Sequence, residues 1–263
     1  NCICCLFLAS SSSVAIAQKN VVDLVNQIIG TNGMGHTFPG ACVPFGLVQL
    51  SPDTDTIPHN VDGKYQPRSY EYCAGYQHKD SSIVGFSHTH FSGTGHSDLG
   101  DILIMPTTGT LKLNPGTATN PDGGYRSRFS HDTEISRPGY YEVMLADYGV
   151  KAQLTTTQRV GIHKYTYPTN IENQRIILDM IHGIYNYDGK VLWTNIRVEN
   201  DTLVTGYRIT NGWARTNYTY FAMSFSKPIT HYGCEEKARV NYRGGYAKFN
   251  MKENFPDIGG RKI

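Results

Sequence analysis

Charge is scarce in this sequence: Lys and Arg number 24, Asp and Glu 22, the net charge is +2, and charged side chains make up only 17% of the residues. No basic run accompanies that balance, so the chain lacks the field needed to hold nucleic acid or an anionic membrane surface. Long apolar runs are missing too. Cys2-Ile-Cys-Cys-Leu-Phe-Leu-Ala9 falls short of the roughly 20 residues of a membrane-spanning helix. It matches the apolar core of a secretory signal, with a small-x-small cleavage point at Ala15-Ile16-Ala17. The expectation is a signal peptide over residues 1–17, a single domain over 18–263 and no transmembrane segment. Because the sequence starts at Asn1 without Met, a piece of a longer chain is expected at its start, and at its end as well.

Cysteine is sparse once that segment is set aside. Cys2, Cys4 and Cys5 leave with it, and Cys42, Cys73 and Cys234 remain, an odd set that allows one bridge at most and no disulfide framework. Helical periodicity is nearly absent. Val21, Leu24, Val25 and Ile28 have helical spacing but precede a Gly-rich loop by so little that only a short turn or an extended arm is expected. No amphipathic helix of three turns follows residue 30. Gly30, Gly33 and Gly35 have neither the spacing nor the following helix of a dinucleotide fingerprint, and Ser87 beside His88 lacks the Gly-x-Ser-x-Gly elbow of a serine hydrolase. No fixed-period repeat or interior linker is present.

What is abundant is Tyr, Phe and Gly, 18, 10 and 27 residues respectively, the composition of strands joined by turns. Short runs at 47–50, 101–105 and 110–113 read as strands. The alternating runs 141–145, 152–156, 160–167, 175–181, 191–198, 202–209 and 218–225 read as antiparallel meander. About eleven strands without crossover helices exclude a parallel α/β sheet and lead to an all-β fold, a large antiparallel β-sandwich with few short helices.

Three loops concentrate the chemistry. Gly85-Phe-Ser-His-Thr-His-Phe-Ser-Gly-Thr-Gly95 sets two imidazoles two positions apart among glycines and hydroxyls; Gly30-Thr-Asn-Gly-Met-Gly-His-Thr-Phe-Pro-Gly-Ala41 has the same character; Tyr70-Glu-Tyr-Cys-Ala-Gly-Tyr76 supplies rings. One shared surface is expected. On a strand, His88 and His90 would face the same way, as in metal sites of all-β proteins. With His96 as a third ligand they would suit a metal-dependent, cupin-like enzyme. The carboxylate usual after such a pair is missing from Phe91-Ser-Gly-Thr-Gly95. A second reading takes the same loops as a sugar site, with His forking hydrogen bonds to hydroxyls and Tyr70, Tyr72, Tyr76 and Phe38 offering rings to a pyranose. A stand-alone carbohydrate-binding module would satisfy it. Asp98 and Asp101 are the nearest pair of carboxylates for glycoside hydrolysis, although Asp ahead of a strand commonly caps a turn.

In its motifs the chain resembles the amino-terminal domain of glycoside hydrolase family 92, calcium-dependent exo-α-mannosidases of secreted bacterial glycan-degrading systems. The resemblance rests on Ile29-Gly-Thr31, His36-Thr-Phe-Pro-Gly-Ala41, Pro44-Phe-Gly46, Gln49-Leu-Ser-Pro-Asp-Thr54, the run from Ser82 to Gly95, Asp98 to Pro106, and Arg159 to Pro168. It implies a supersandwich-like domain packed against a helical toroid outside this chain, which would carry the acid, the base and the calcium, and would cleave terminal mannose with inversion. It implies mannose-containing glycans as substrate, that helical domain as partner, a family tendency toward α-1,2 linkages, and a periplasmic or cell-surface location. Under it no catalytic residue and no metal ligand is assigned to this chain, and His36, Thr37, Phe38, Tyr72, His88 and His90 line or support the mannose pocket. Relatives often carry Trp in the ring-rich loop where Tyr70 and Tyr72 stand, a departure that bears on the leaving-group side.

Overall fold

Alternation of buried and exposed side chains sets the architecture. The computed structural model describes residues 20–234 apart from Thr56, Ser97, Glu172, Tyr185, Asn186 and Asp188, so the signal segment expected over 1–17 lies outside the described residues. The first half is built from short strands: β1 (Ala41–Cys42), β2 (Gln49–Asp53), β3 (Asn60–Val61), β4 (Lys64–Tyr65), β5 (Ser82–Ile83), β6 (Gly85–Ser87), β7 (Leu103–Thr107), β8 (Ser127–Arg128) and β9 (Ile135–Arg137). Longer strands follow: β10 (Tyr140–Leu145), β11 (Val150–Thr156), β12 (Gly161–Thr166), β13 (Arg175–Asp179), β14 (Val191–Asn200), β15 (Leu203–Thr210) and β16 (Asn217–Ser224). Among the described residues helical structure is confined to short 3₁₀ turns such as Val21–Leu24, Pro67–Tyr72 and His131–Thr133, and no helix there is long and apolar enough to cross a membrane.

Two antiparallel sheets face each other, ordered β1-β2-β6-β7-β13 and β12-β11-β10-β9. Strands β10 and β11 pair from Tyr140↔Thr155 to Leu145↔Val150 and bury every second residue, so a one-residue slip would turn the whole apolar set to solvent. Leu50, Phe86, Leu103, Met105 and Ile177 from the first sheet meet Tyr141, Val143, Leu145, Val150, Ala152 and Leu154 from the second in one core. Each such aliphatic or Phe side chain contributes about 1.5–3 kcal/mol by leaving water. The first sheet is closed by β13, which crosses back to pair with β7 along Arg175↔Thr107 to Asp179↔Leu103. A third sheet, β14-β15-β16, is tied to the first by Arg208 of β15, which ion-pairs with Asp101 at 2.8 Å, both side chains buried.

The all-β expectation holds, with two local differences. Residues 110–113 form no strand; Leu111 packs against the core without a ladder partner, so apolar burial there produces alternation without a sheet. The brief strands β1, β3, β4, β5 and β8 are too short to show a period. Among the described residues no disulfide forms, and Cys42, Cys73 and Cys234 keep their thiols.

Candidate functional site

The three loops converge at one end of the sandwich. The Gly93 amide donates to the His36 carbonyl at 2.6 Å, and the Gln77 side-chain amide takes both the N–H and the carbonyl of Gly33, at 2.8 and 3.0 Å. The Tyr70 ring meets His36 edge-on at 4.8 Å. Gly95 is required beside it, because a Cβ there would lie 1.9 Å from the Tyr70 hydroxyl. The shared surface expected from the sequence is therefore formed.

Beneath it lies a buried ionic centre on Asp53, the last residue of β2. Its Oδ1 accepts from His90 Nε2 at 2.9 Å and its Oδ2 from His182 Nε2 at 2.7 Å. His90 Nδ1 faces the Gln49 carbonyl at 2.7 Å and donates to it, and the Ser87 hydroxyl lies 3.1 Å from Nε2. Burial pushes the Asp53 carboxyl upward, but the two imidazoles outweigh it and hold it well below the usual carboxylate range. Gly75 closes over the pair at φ +78°; a Cβ there would sit 2.0 Å from Asp53 Oδ1 and 3.3 Å from His90 Nε2, so only glycine fits.

His88 belongs to a different chain of contacts. The strand ends at Ser87, so the alternation that would put His88 and His90 on one face does not extend to them. His88 Nδ1 faces the Ile102 carbonyl at 2.7 Å and its Nε2 faces His163 Nε2 at 3.0 Å, while His163 Nδ1 faces the Tyr165 hydroxyl at 2.7 Å. The carbonyl accepts, so His88 Nδ1 donates and its Nε2 accepts; His163 Nε2 must then donate, and Tyr165 donates to His163 Nδ1. One proton arrangement satisfies all four groups, with both rings neutral. Burial accordingly lowers His88 to about 4, and His163 falls well below the ordinary imidazole value through burial and the neighbouring His88.

The other expected site residues divide. Phe38 stacks obliquely on His90 at 5.1 Å, roofing the ionic centre. Thr37 donates its hydroxyl to the Ile29 carbonyl at 3.0 Å. His36 is 6% exposed with φ +52°, and its buried Nε2 has no hydrogen-bond partner. Tyr72 is turned inward, its hydroxyl on the Asp80 carboxylate at 2.9 Å. His96 stacks on Trp213 at 4.1 Å, away from the nitrogens of His88 and His90, so the metal triad drawn from spacing does not assemble. Asp101 accepts from the Thr89 hydroxyl at 2.7 Å besides its Arg208 pair, and Asp98 accepts the Trp213 amide at 3.0 Å; both carboxylates are engaged structurally. Sequence reasoning did not select Asp53, His163, His182 or Arg208. Asp53 and His163 do lie inside motifs that carried the family resemblance, the one signal that could have found them.

Comparison with known proteins identifies the family. Two structures of a family GH92 alpha-mannosidase from Bacteroides thetaiotaomicron, one in complex with mannoimidazole, share the fold at TM-scores of 0.72 and 0.71 and 44% identity, over 81% of this chain and 26% of theirs. A GH92 family glycosyl hydrolase at 24% identity and TM-score 0.58 shares the fold over 77% of this chain. An uncharacterized secreted glycosidase of Arthroderma benhamiae is 30% identical over 162 residues, 58% of this chain and 18% of its own length. The chain thus spans about a quarter or less of these relatives. Residues 24–256 match the glycosyl hydrolase family 92 N-terminal domain, and the chain belongs to that family.

Proposed function

We propose that this chain is the pocket-forming sandwich of a secreted exo-α-mannosidase that removes terminal α-1,2-linked mannose from glycans with inversion. The observation that carries the reading is the locked convergence of three loops, with the Asp53–His90–His182 centre against Phe38 and a buried, unpartnered His36 nitrogen beside them. An inverting enzyme needs an acid and a base about 6.5–9.5 Å apart. Asp53, Asp98 and Asp101 are each tied up in buried or backbone contacts, which supports drawing both from a further domain.

On this reading His36, Thr37 and Phe38 meet the sugar, and His88 and His90 hold the wall in place. Tyr72 anchors the ring-rich loop through Asp80, leaving Tyr70 as the ring facing outward, 38% exposed. Calcium, which hard oxygen ligands favour, would be held outside these residues: the metal-type cluster found here carries two imidazoles and does not suit it. A periplasmic or cell-surface location follows from the signal-like opening, and a secreted relative supports export.

The test is kinetic. In the full-length protein, His36→Ala and Phe38→Ala should lower kcat/KM on α-1,2-mannobiose about 10- to 100-fold, the worth of one lost hydrogen bond or stacking contact of about 1–3 kcal/mol. Wild-type kcat/KM in both variants would refute the assignment. Tight mannose binding by the isolated chain would favour a stand-alone binding module instead.

A further inference from the structure

On the side of the sandwich where the segment after Tyr76 meets the turn before β9, two imidazoles and a carboxylate gather. His131 and Glu134 bracket the 3₁₀ turn His131–Thr133, whose three residues per turn bring positions i and i+3 into line. The Ser130 side chain caps that turn by accepting the Asp132 amide at 3.2 Å. His78 arrives from the segment after Tyr76, its ring centroid 4.0 Å from that of His131. One ligand atom from each of His78, His131 and Glu134 lies within 4.8 Å of the others.

The carboxylate is prepared from behind. Glu134 has a side chain only 3% exposed. Tyr141 donates to its Oε1 at 2.6 Å and Tyr76 to the same carboxylate at 2.9 Å. The core thus holds Oε1 from two hydroxyls, while Oε2 takes the Tyr76 hydroxyl at 3.0 Å and faces His131 Nδ1 at 2.7 Å. Such outer hydrogen bonds are how metal-binding carboxylates are aimed. Burial and the adjoining Glu134 raise both tyrosines above their ordinary value, so they remain donors.

We propose that His78, His131 and Glu134 form a binding site for a divalent transition metal of the zinc type, with water completing the shell. Two nitrogens and one oxygen suit Zn²⁺ or Co²⁺ and not Ca²⁺ or Mg²⁺, which require oxygen shells. A tetrahedral zinc with bonds of about 2.0–2.1 Å needs donors about 3.3 Å apart. The ligand atoms, within 4.8 Å of one another, have to shift to that spacing, and the His131 side chain, 37% exposed, has room to turn. Both imidazoles bind a metal only when neutral, so protons compete with it and binding weakens in acid. Its effect is to clip the segment that follows the ring-rich loop to the β9–β10 edge.

The experiment is calorimetric titration of metal-stripped full-length protein with ZnCl₂, repeated with His78→Ala and His131→Ala, alongside Co²⁺ absorption in the visible range. One equivalent should bind with micromolar or tighter affinity, at least tenfold weaker in each variant, with a tetrahedral Co²⁺ band that both variants lose and that excess Ca²⁺ leaves unchanged. Tyr141→Phe should weaken binding by a further 10- to 100-fold-type effect. His131 is exposed and His78 half-buried; unchanged melting temperatures in the metal-free variants establish that the fold is kept. Zinc binding that is absent, or equally strong in both variants, overturns the site.

Discussion

Acid should loosen this domain through one pair of histidines, in a defined pH window. In the folded chain burial lowers His88 to about 4; in the unfolded chain it takes up its proton near 6.5. Between those values the unfolded state binds more protons, so stability is complete above pH 6.5 and falls as pH drops toward 4. The gap corresponds to about 3 kcal/mol, most of it lost by pH 4.5. Protonating His88 at Nε2 would aim its N–H at that of His163 across 3.0 Å, and His163, lowered in the same direction, adds to the effect. Asp53, whose ordinary value is 3.8 and whose folded value lies lower, contributes its loss below this window. The assay is urea unfolding at pH 7.5 and 4.5 for the wild type and His88→Asn, in which the amide nitrogen keeps the donor to the Ile102 carbonyl. The wild type should lose about 2–3 kcal/mol more on acidification than the variant. Equal losses in the two proteins, or a wild type insensitive over this range, would refute the neutral relay.

Three other perturbations probe the same region. Gly75→Ala should destabilise by about 2–4 kcal/mol in urea unfolding, since the new Cβ combines left-handed strain with a clash on Asp53. Arg208→Met leaves Asp101 as an uncompensated buried charge and should lower unfolding free energy by about 3–5 kcal/mol, whereas the double variant Arg208→Met with Asp101→Asn should recover part of that loss. His36→Ala removes a buried ring that packs on Tyr70 and should lower the melting temperature by about 2–8 °C, while the full-length protein's kcat/KM, measured well below the transition, should fall by about 10-fold or more.

The second half of the fold was legible because its strands are long and one-sided: β10, β11 and β12 announce themselves by strict alternation. The first half was not, since β2 and β7 are buried along nearly their whole length and β1, β5 and β8 are too brief for any period. The loops at the site were readable from their glycines, rings and imidazoles. Their partners were not: Asp53 joins His182 across 129 positions and His88 joins His163 across 75, and separations of that size leave no trace in local spacing. The pairing of His88 with His90 failed for a specific reason. Period-two reasoning holds only while the backbone stays in a ladder, and this one leaves it at Ser87.

Arg208 has one more implication. Its guanidinium holds the His182 carbonyl at 2.5 Å and the Asp101 carboxylate at 2.8 Å, and His182 in turn grips Asp53. The hairpin layer β14-β15-β16 is therefore coupled to the floor under Phe38, and whatever leans on that layer from outside pulls on the loops around it.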